Sequence, residues 1–312
     1  GRGGAQVTVT DAHVWLGRIP AEGFLGGSGE LHRELIREPL MALARALGRT
    51  PEEAAEGVLA VADTAMERAL RVISVERGFD PRELSLVAFG GAGALHAAEL
   101  AGRLGVREAL IPPDPGLLSA YGILTAAPTR EASRTLLLPA SSPGTAAVLQ
   151  GALEELAEQA VGALVTEDEI PLQHVLVERW VDARYQGQSF ELRVPAHGWA
   201  EAFHAAHEAR YGYARRDAEV EAVTVRAAAT APGLEVHSEP LPEADAPPPA
   251  TPGTTVVDGV ATPCPRYWRR DLRPGHEIQG PALVLDYSAT TWLPPGWRLH
   301  LHPTGVLRLR RE

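Results

Sequence analysis

The 312-residue chain contains no lysine, no asparagine and a single cysteine, and all 29 of its basic side chains other than histidine are arginine. Without a lysine amine there is no Schiff-base catalyst, no pyridoxal-phosphate anchor and no phosphate loop of the GxxxxGK[ST] type. Without asparagine there is no N-glycosylation acceptor. Cys264 alone forms neither an internal disulfide nor a multi-cysteine zinc site, and a reducing, cytoplasmic setting is expected. No run approaches the ~18 apolar residues of a membrane span. Positive charge is also short, at 29 Arg against 40 Asp and Glu for a net charge of −11. A nucleic-acid binder shows the opposite balance, because phosphate neutralisation supplies most of its affinity. Neither nucleic acid nor a membrane is therefore expected as a partner. The opening segment from Gly1 has no initiating Met and no charged-then-apolar leader, and it reads as the interior of a longer protein.

What is present has the grammar of an α/β protein. At ~150 residues per domain the length suggests about two domains. Thr50-Pro51-Glu52-Glu53 is a capping box that opens a long helix to about Arg77, with an Ala-rich stripe at helical spacing. Ser85 to Phe89 reads as a strand, Gly90-Gly91-Ala92-Gly93 as a turn, and Ala94 to Leu104 as a helix. A second strand, Glu108 to Ile111, precedes a Pro-rich turn around Asp114 and a helix from Leu117 to about Ala126. Pro139 to Gly144 turns polar, and a helix from Thr145 to about Val165 leads into a second half. There, Val175 to Tyr185 and Ser189 to Val194 read as a hairpin across Gln186-Gly187-Gln188. A helix from Trp199 to Tyr211 and a strand from Glu219 to Ala229 follow. The prolines at 240, 242, 247, 248, 249 and 252 mark a stiff connector. Turn pairs at Pro274-Gly275, Gly280-Pro281 and Pro294-Pro295-Gly296 space the short strands of a small β module. The expected segments are an α/β lobe over 1–140, an α+β module over 141–230, a connector over 231–254 and a β module over 255–312.

Several residues invite chemistry, each with a plainer reading beside it. Gly90, Gly91 and Gly93 free the backbone N–H groups at a helix start to approach a nucleotide, although the spacing is not GxGxxG and a bare tight turn explains it too. His96 follows in the first turn of that helix, as a ligand or as a hydrogen-bonded structural group. Asp11 leaves the β-branched run Thr8-Val9-Thr10, a place for a metal ligand or for a helix cap. His204 and His207 share a helical face at metal-ligand spacing, but they lack HExxH and a third ligand, which favours packing. Cys264 sits between prolines with no evident base, and no GxSxG elbow exists. Arg2, Arg18, Arg71 and Arg77 form a basic pocket or a solvated surface.

Leu86-Val87-Ala88-Phe89-Gly90-Gly91-Ala92-Gly93-Ala94-Leu95-His96-Ala97 resembles the LVAFGGAGPLHA signature of the hydantoinase A / 5-oxoprolinase family. Ser74 to Pro81 resembles its SVERGYDP. Gly3-Gly4 with Thr8 to Ala12 resembles GG…TVTDAN, and Leu16-Gly17-Arg18 its LGR. Pro115 to Gly122, Asp182 to Leu192, Phe203 to Tyr213 and Gly280 to Trp297 resemble later family blocks in order. Two positions depart: His13 stands where the family has Asn, and Ala94 where it has Pro.

The resemblance implies the second lobe of an actin-like ATPase fold, followed by a smaller mixed α+β, β-rich C-terminal module. Gly90, Gly91 and Gly93 become nucleotide contacts. The phosphate-gripping first lobe is expected upstream of Gly1, so that this chain alone does not turn over substrate. The implied activity is ATP-dependent opening of a five-membered cyclic amide, a hydantoin or 5-oxoproline, through carbonyl phosphorylation. Mg²⁺ (or Mn²⁺ or Zn²⁺) accompanies ATP, with Asp11 and His96 as the metal candidates and a hydantoinase B-type subunit as partner. An ATP-dependent ketone carboxylase subunit and a catalytically silent scaffold lobe are the alternatives.

Overall fold

The computed structural model describes residues 4–20, 29, 31–236, 239–244, 246 and 248–312. Gly1, Arg2, Gly3 and Pro247, which the sequence reading used, lie outside the described residues. The β-branched run at Thr8 is not a strand, because the chain turns helical at once as α1 (Val9–Trp15). Thr8 Oγ1 accepts from the Asp11 amide at 3.2 Å, and Asp11 Oδ2 accepts from the Thr8 amide at 2.8 Å. This reciprocal cap satisfies two amides that a helix start leaves bare, and it overrides local β preference. Helix α2 (Arg33–Leu47), not anticipated in the sequence, carries Pro39 inside it and closes on Gly48 at φ 65°. Helix α3 (Pro51–Ile73) begins at the expected capping box and buries Ala54, Ala55, Leu59 and Asp63.

Strand β1 (Leu86–Val87) is shorter than its apolar run, and the glycine turn leads into α4 (Gly93–Leu104). Strand β2 (Ala109–Ile111) lies parallel to β1, with Leu86 opposite Ala109. Helix α5 (Leu118–Thr125) follows.

Residues Leu124–Val236 form a compact unit of their own. It comprises β3 (Thr129–Pro139), α6 (Thr145–Thr166), β4 (Leu176–Tyr185), β5 (Leu192–Pro195), α7 (Trp199–Tyr211) and β6 (Val220–Thr230). The strands pair in the order β3-β6-β4-β5, all antiparallel. Leu149, Leu153 and Leu156 of α6 and Phe203 of α7 pack with Val181, Tyr185 and Val225 of the sheet.

The remaining strands are β7 (Thr254–Val257), β8 (Val260–Pro263), β9 (Arg266–Trp268), β10 (Glu277–Gln279), β11 (Ala282–Leu285), β12 (Thr290–Leu293), β13 (Trp297–Leu301) and β14 (Leu307–Arg311). They do not make a separate module. Strand β14 pairs antiparallel with β2, setting Leu309 opposite Ala109, so one sheet runs β1-β2-β14-β13-β10. The chain thus divides into Gly1–Ile123 with His237–Glu312, and Leu124–Val236, rather than at 140, 230 and 254. The free edge of β2 and its apolar Ala109 and Ile111 are covered by Leu307 and Leu309, a pairing across nearly 200 residues that leaves no local mark in sequence. Ala94, Ala97, Ala98 and Ala101 let α4 approach this sheet closely, against Ile111, Trp297 and Leu299. Among the described residues no helix is long and apolar enough to cross a membrane.

Candidate functional site

Three loops meet at the carboxyl ends of the parallel strands β1 and β2. The Gly90 amide donates to Pro115 O at 2.7 Å, tying the glycine turn to the loop after β2. Gly90 has φ 84°, and open space lies where a Cβ would stand, so glycine serves here for its conformation. A Cβ on Gly91 would stand 3.4 Å from Ser288 O, and one on Gly116 would collide with Ser288 Oγ. Ser288 belongs to the tip of the β11–β12 hairpin, closed by the Asp286 amide on Ala289 O at 2.9 Å. Behind the loops, the Arg269 guanidinium donates to Ile111 O at 3.0 Å and Gly305 O at 2.7 Å, with Asp286 at 3.8 Å. Burial lowers the Arg269 pKa, against the pull of Asp286 and Asp114. Asp114 is the turn residue the sequence suggests, held at φ 46° between two prolines. Open α/β sheets take ligands outside the carboxyl ends of their strands.

One turn into α4, His96 joins a buried relay. Its Nδ1 lies 2.7 Å from Asp63 Oδ1 on α3, and its Nε2 lies 3.2 Å from His13 Nε2 on α1. All three side chains are buried. A neutral His96 that donates to Asp63 through Nδ1 offers Nε2 as acceptor, and His13 then donates through its own Nε2. Among the described residues, the buried His13 Nδ1 has no hydrogen-bond partner. Burial, then His96 and Arg18, push the His13 pKa down to about 3. Arg18 lies 4.7 Å over the Trp292 ring, and burial lowers its pKa against Glu99, Glu56 and Asp63. Its Nε and the Trp292 Nε1 are likewise buried and without hydrogen-bond partners among the described residues.

Of the two expected metal candidates, His96 is engaged with Asp63 and His13, while the Asp11 carboxylate is engaged in the Thr8 cap. Among the described residues, no group of three or more His, Cys, Asp or Glu side chains is arranged to hold a metal ion. His204 and His207 take the packing role: His204 Nδ1 meets Tyr185 Oη at 2.9 Å, and His207 Nδ1 meets Tyr213 O at 2.8 Å. Cys264 is buried, and that burial pushes its pKa up to about 12. Arg71 pairs with Glu67 at 2.9 Å, and Arg77 is exposed. Sequence reasoning missed Asp63, which sits among apolar positions of α3, and Ser288, which reaches the glycine turn through the fold alone.

Comparison with known proteins bears on this region directly. The family model described as Hydantoinase/oxoprolinase matches residues 1–132. MJ0964 of Methanocaldococcus jannaschii is 32% identical over 323 residues, covering 100% of this chain and 45% of that protein. The caprolactamase subunit alpha of Pseudomonas jessenii is 28% identical over 334 residues, covering 99% of this chain and 47% of the subunit. Nucleotide-free acetone carboxylase superposes with a TM-score of 0.82 at 24% identity, over 99% of this chain and 47% of that one. The chain spans about half the length of these relatives. Since the matched segment carries α1, the relay and the glycine turn, the chain is a member of the hydantoinase/oxoprolinase family.

Proposed function

We propose that this chain is the nucleotide-contacting lobe of an ATP-dependent hydrolase that opens five-membered cyclic amides, hydantoins or 5-oxoproline. The observation that carries the reading is the glycine turn at the carboxyl ends of the parallel strands β1 and β2, with open space in front of Gly90. In this reading Gly1–Ile123 with His237–Glu312 is the second lobe of an actin-like ATPase. Gly90, Gly91 and Gly93 approach the nucleotide through their backbones, and a first lobe grips the phosphates. The residues present fit that role, since a side chain at Gly90 would be strained and would fill the approach. ATP, with Mg²⁺ on its phosphates, supplies the phosphoryl group that turns the amide carbonyl oxygen into a leaving group. This chain binds and orients the nucleotide, and a hydantoinase B-type subunit carries the hydrolytic step. The ATP-dependent caprolactamase of P. jessenii, named for a seven-membered cyclic amide, supports cyclic amides as the broad substrate class.

The Thr8 cap takes Asp11 Oδ2, so Oδ1 can still ligate a metal, whereas His96 fits one only if His13 leaves its Nε2. Metal analysis of Asp11→Ala and His96→Ala checks this, and unchanged content in both variants removes the pair from any metal site. The function itself is tested by ADP release from the full-length gene product with its B-type partner. Stimulation by 5-oxoproline or hydantoins is the expected result. Stimulation only by ketone plus bicarbonate would place the chain with the acetone carboxylases, and silence in both arms would favour a scaffold lobe.

A further inference from the structure

Phe89 and Tyr287 are large aromatic side chains left in solvent, 52% and 65% exposed. Each is attached to one of the loops that meet at the glycine turn. Phe89 immediately precedes Gly90, and Tyr287 immediately precedes Ser288, whose backbone oxygen approaches Gly91. Both rings stand on anchored backbone. The Ala88 amide donates to Leu110 O at 2.9 Å, and the Gly90 amide to Pro115 O at 2.7 Å, pinning the chain on either side of Phe89. The Tyr287 amide donates to Asp286 Oδ1 at 2.7 Å within the closed hairpin tip. Exposed rings on fixed backbone give up little conformational entropy when a flat ligand covers them, and an aromatic face accepts a heteroaromatic ring without needing hydrogen-bond complementarity.

We propose that Phe89 and Tyr287 form a stacking rim for the base of the nucleotide whose backbone contacts are made by the glycine turn. The inference rests on the reading of that turn as a nucleotide contact, and it adds two side chains that tell a nucleoside phosphate from a bare polyphosphate. Because both rings are exposed, their replacement leaves the core intact.

The experiment is calorimetric binding of ADP and of inorganic pyrophosphate to the full-length protein and to Phe89→Ala, Tyr287→Ala, Tyr287→Phe and Gly91→Val. Each alanine variant is expected to weaken ADP binding by about tenfold, the scale of one lost base–aromatic contact, while pyrophosphate affinity holds. Tyr287→Phe, which keeps the ring, is expected to retain ADP affinity. Unchanged ADP affinity in both alanine variants, with binding abolished by Gly91→Val, would overturn the rim and leave the glycine-turn reading standing. Equal losses of ADP and pyrophosphate in the alanine variants would also overturn the rim. No effect of Gly91→Val, or no ADP binding by the unaltered protein, would overturn the reading and the rim with it.

Discussion

Each of the two compact units buries histidines, and the two clusters are completed differently. In Leu124–Val236 the Tyr185 hydroxyl accepts from the Arg215 amide at 2.6 Å and shares a hydrogen bond of 2.9 Å with His204 Nδ1. His207 donates through Nδ1 to Tyr213 O, and Tyr185 packs edge-on to Phe203 with centroids 4.8 Å apart. Among the described residues, no buried side-chain N or O atom of this cluster is left without a partner. In the other unit, among the described residues, the Asp63–His96–His13 relay ends at a His13 Nδ1 without a partner, beside Arg18 and Trp292 with unpartnered nitrogens of their own. Buried polar groups are nearly always satisfied in native proteins, so the first cluster is a packing device and the second holds unused bonding capacity. The His13 and Arg18 share of that capacity lies on α1 and just after it, within the segment that matches the family model, while Trp292 lies outside that segment on β12.

The comparison is broken most forcefully at Asp63. In Asp63→Ala, His96 keeps its place in the core but its buried Nδ1–H loses its acceptor, which costs about 3 kcal/mol. Urea unfolding of the variant should show a large fall in midpoint with little change in slope. A smaller effect, about 2 kcal/mol, is expected from acid. The folded state holds the His13 pKa near 3, below the 6.5 of a free histidine, so the unfolded chain binds the proton first. The His13 contribution is complete above pH 6.5 and is lost as pH falls towards 3. Stability measured at pH 6.5 and 4.5 should differ by that amount more in the natural protein than in His13→Asn. Equal pH dependence in the two would show that His13 is not held neutral.

Much of this was legible in the sequence, and the rest was hidden for physical reasons. The box at Thr50–Glu53, the strand–glycine turn–helix order and the packing role of His204 and His207 follow from local chemistry, and local chemistry is what a sequence displays. The run Thr8-Val9-Thr10 misleads because β-branched residues suggest a strand, while the decisive term is the Thr8–Asp11 cap three residues apart. The unity of β1, β2, β13 and β14 was invisible because their pairing spans nearly 200 residues. His13 stood out as a departure from the family's Asn, yet Asp63, the partner of His96, did not, since a carboxylate on an Ala-rich helix gives no sign that it faces inward.

The smaller effects test whether satisfied and unsatisfied histidines respond differently to neighbouring deletions. Tyr185→Phe keeps the ring in the core but strands the Arg215 amide and His204 Nδ1, at an expected cost of about 1.5 kcal/mol by thermal or denaturant unfolding. His13→Asn at neutral pH should cost less, below about 1 kcal/mol. The shorter amide still carries a donor for His96 Nε2, and the substitution removes a buried nitrogen that has no partner to lose. If His13→Asn were instead the costlier of the two, the His13 ring would be held by bonds beyond the one to His96, and the contrast between the clusters would fail.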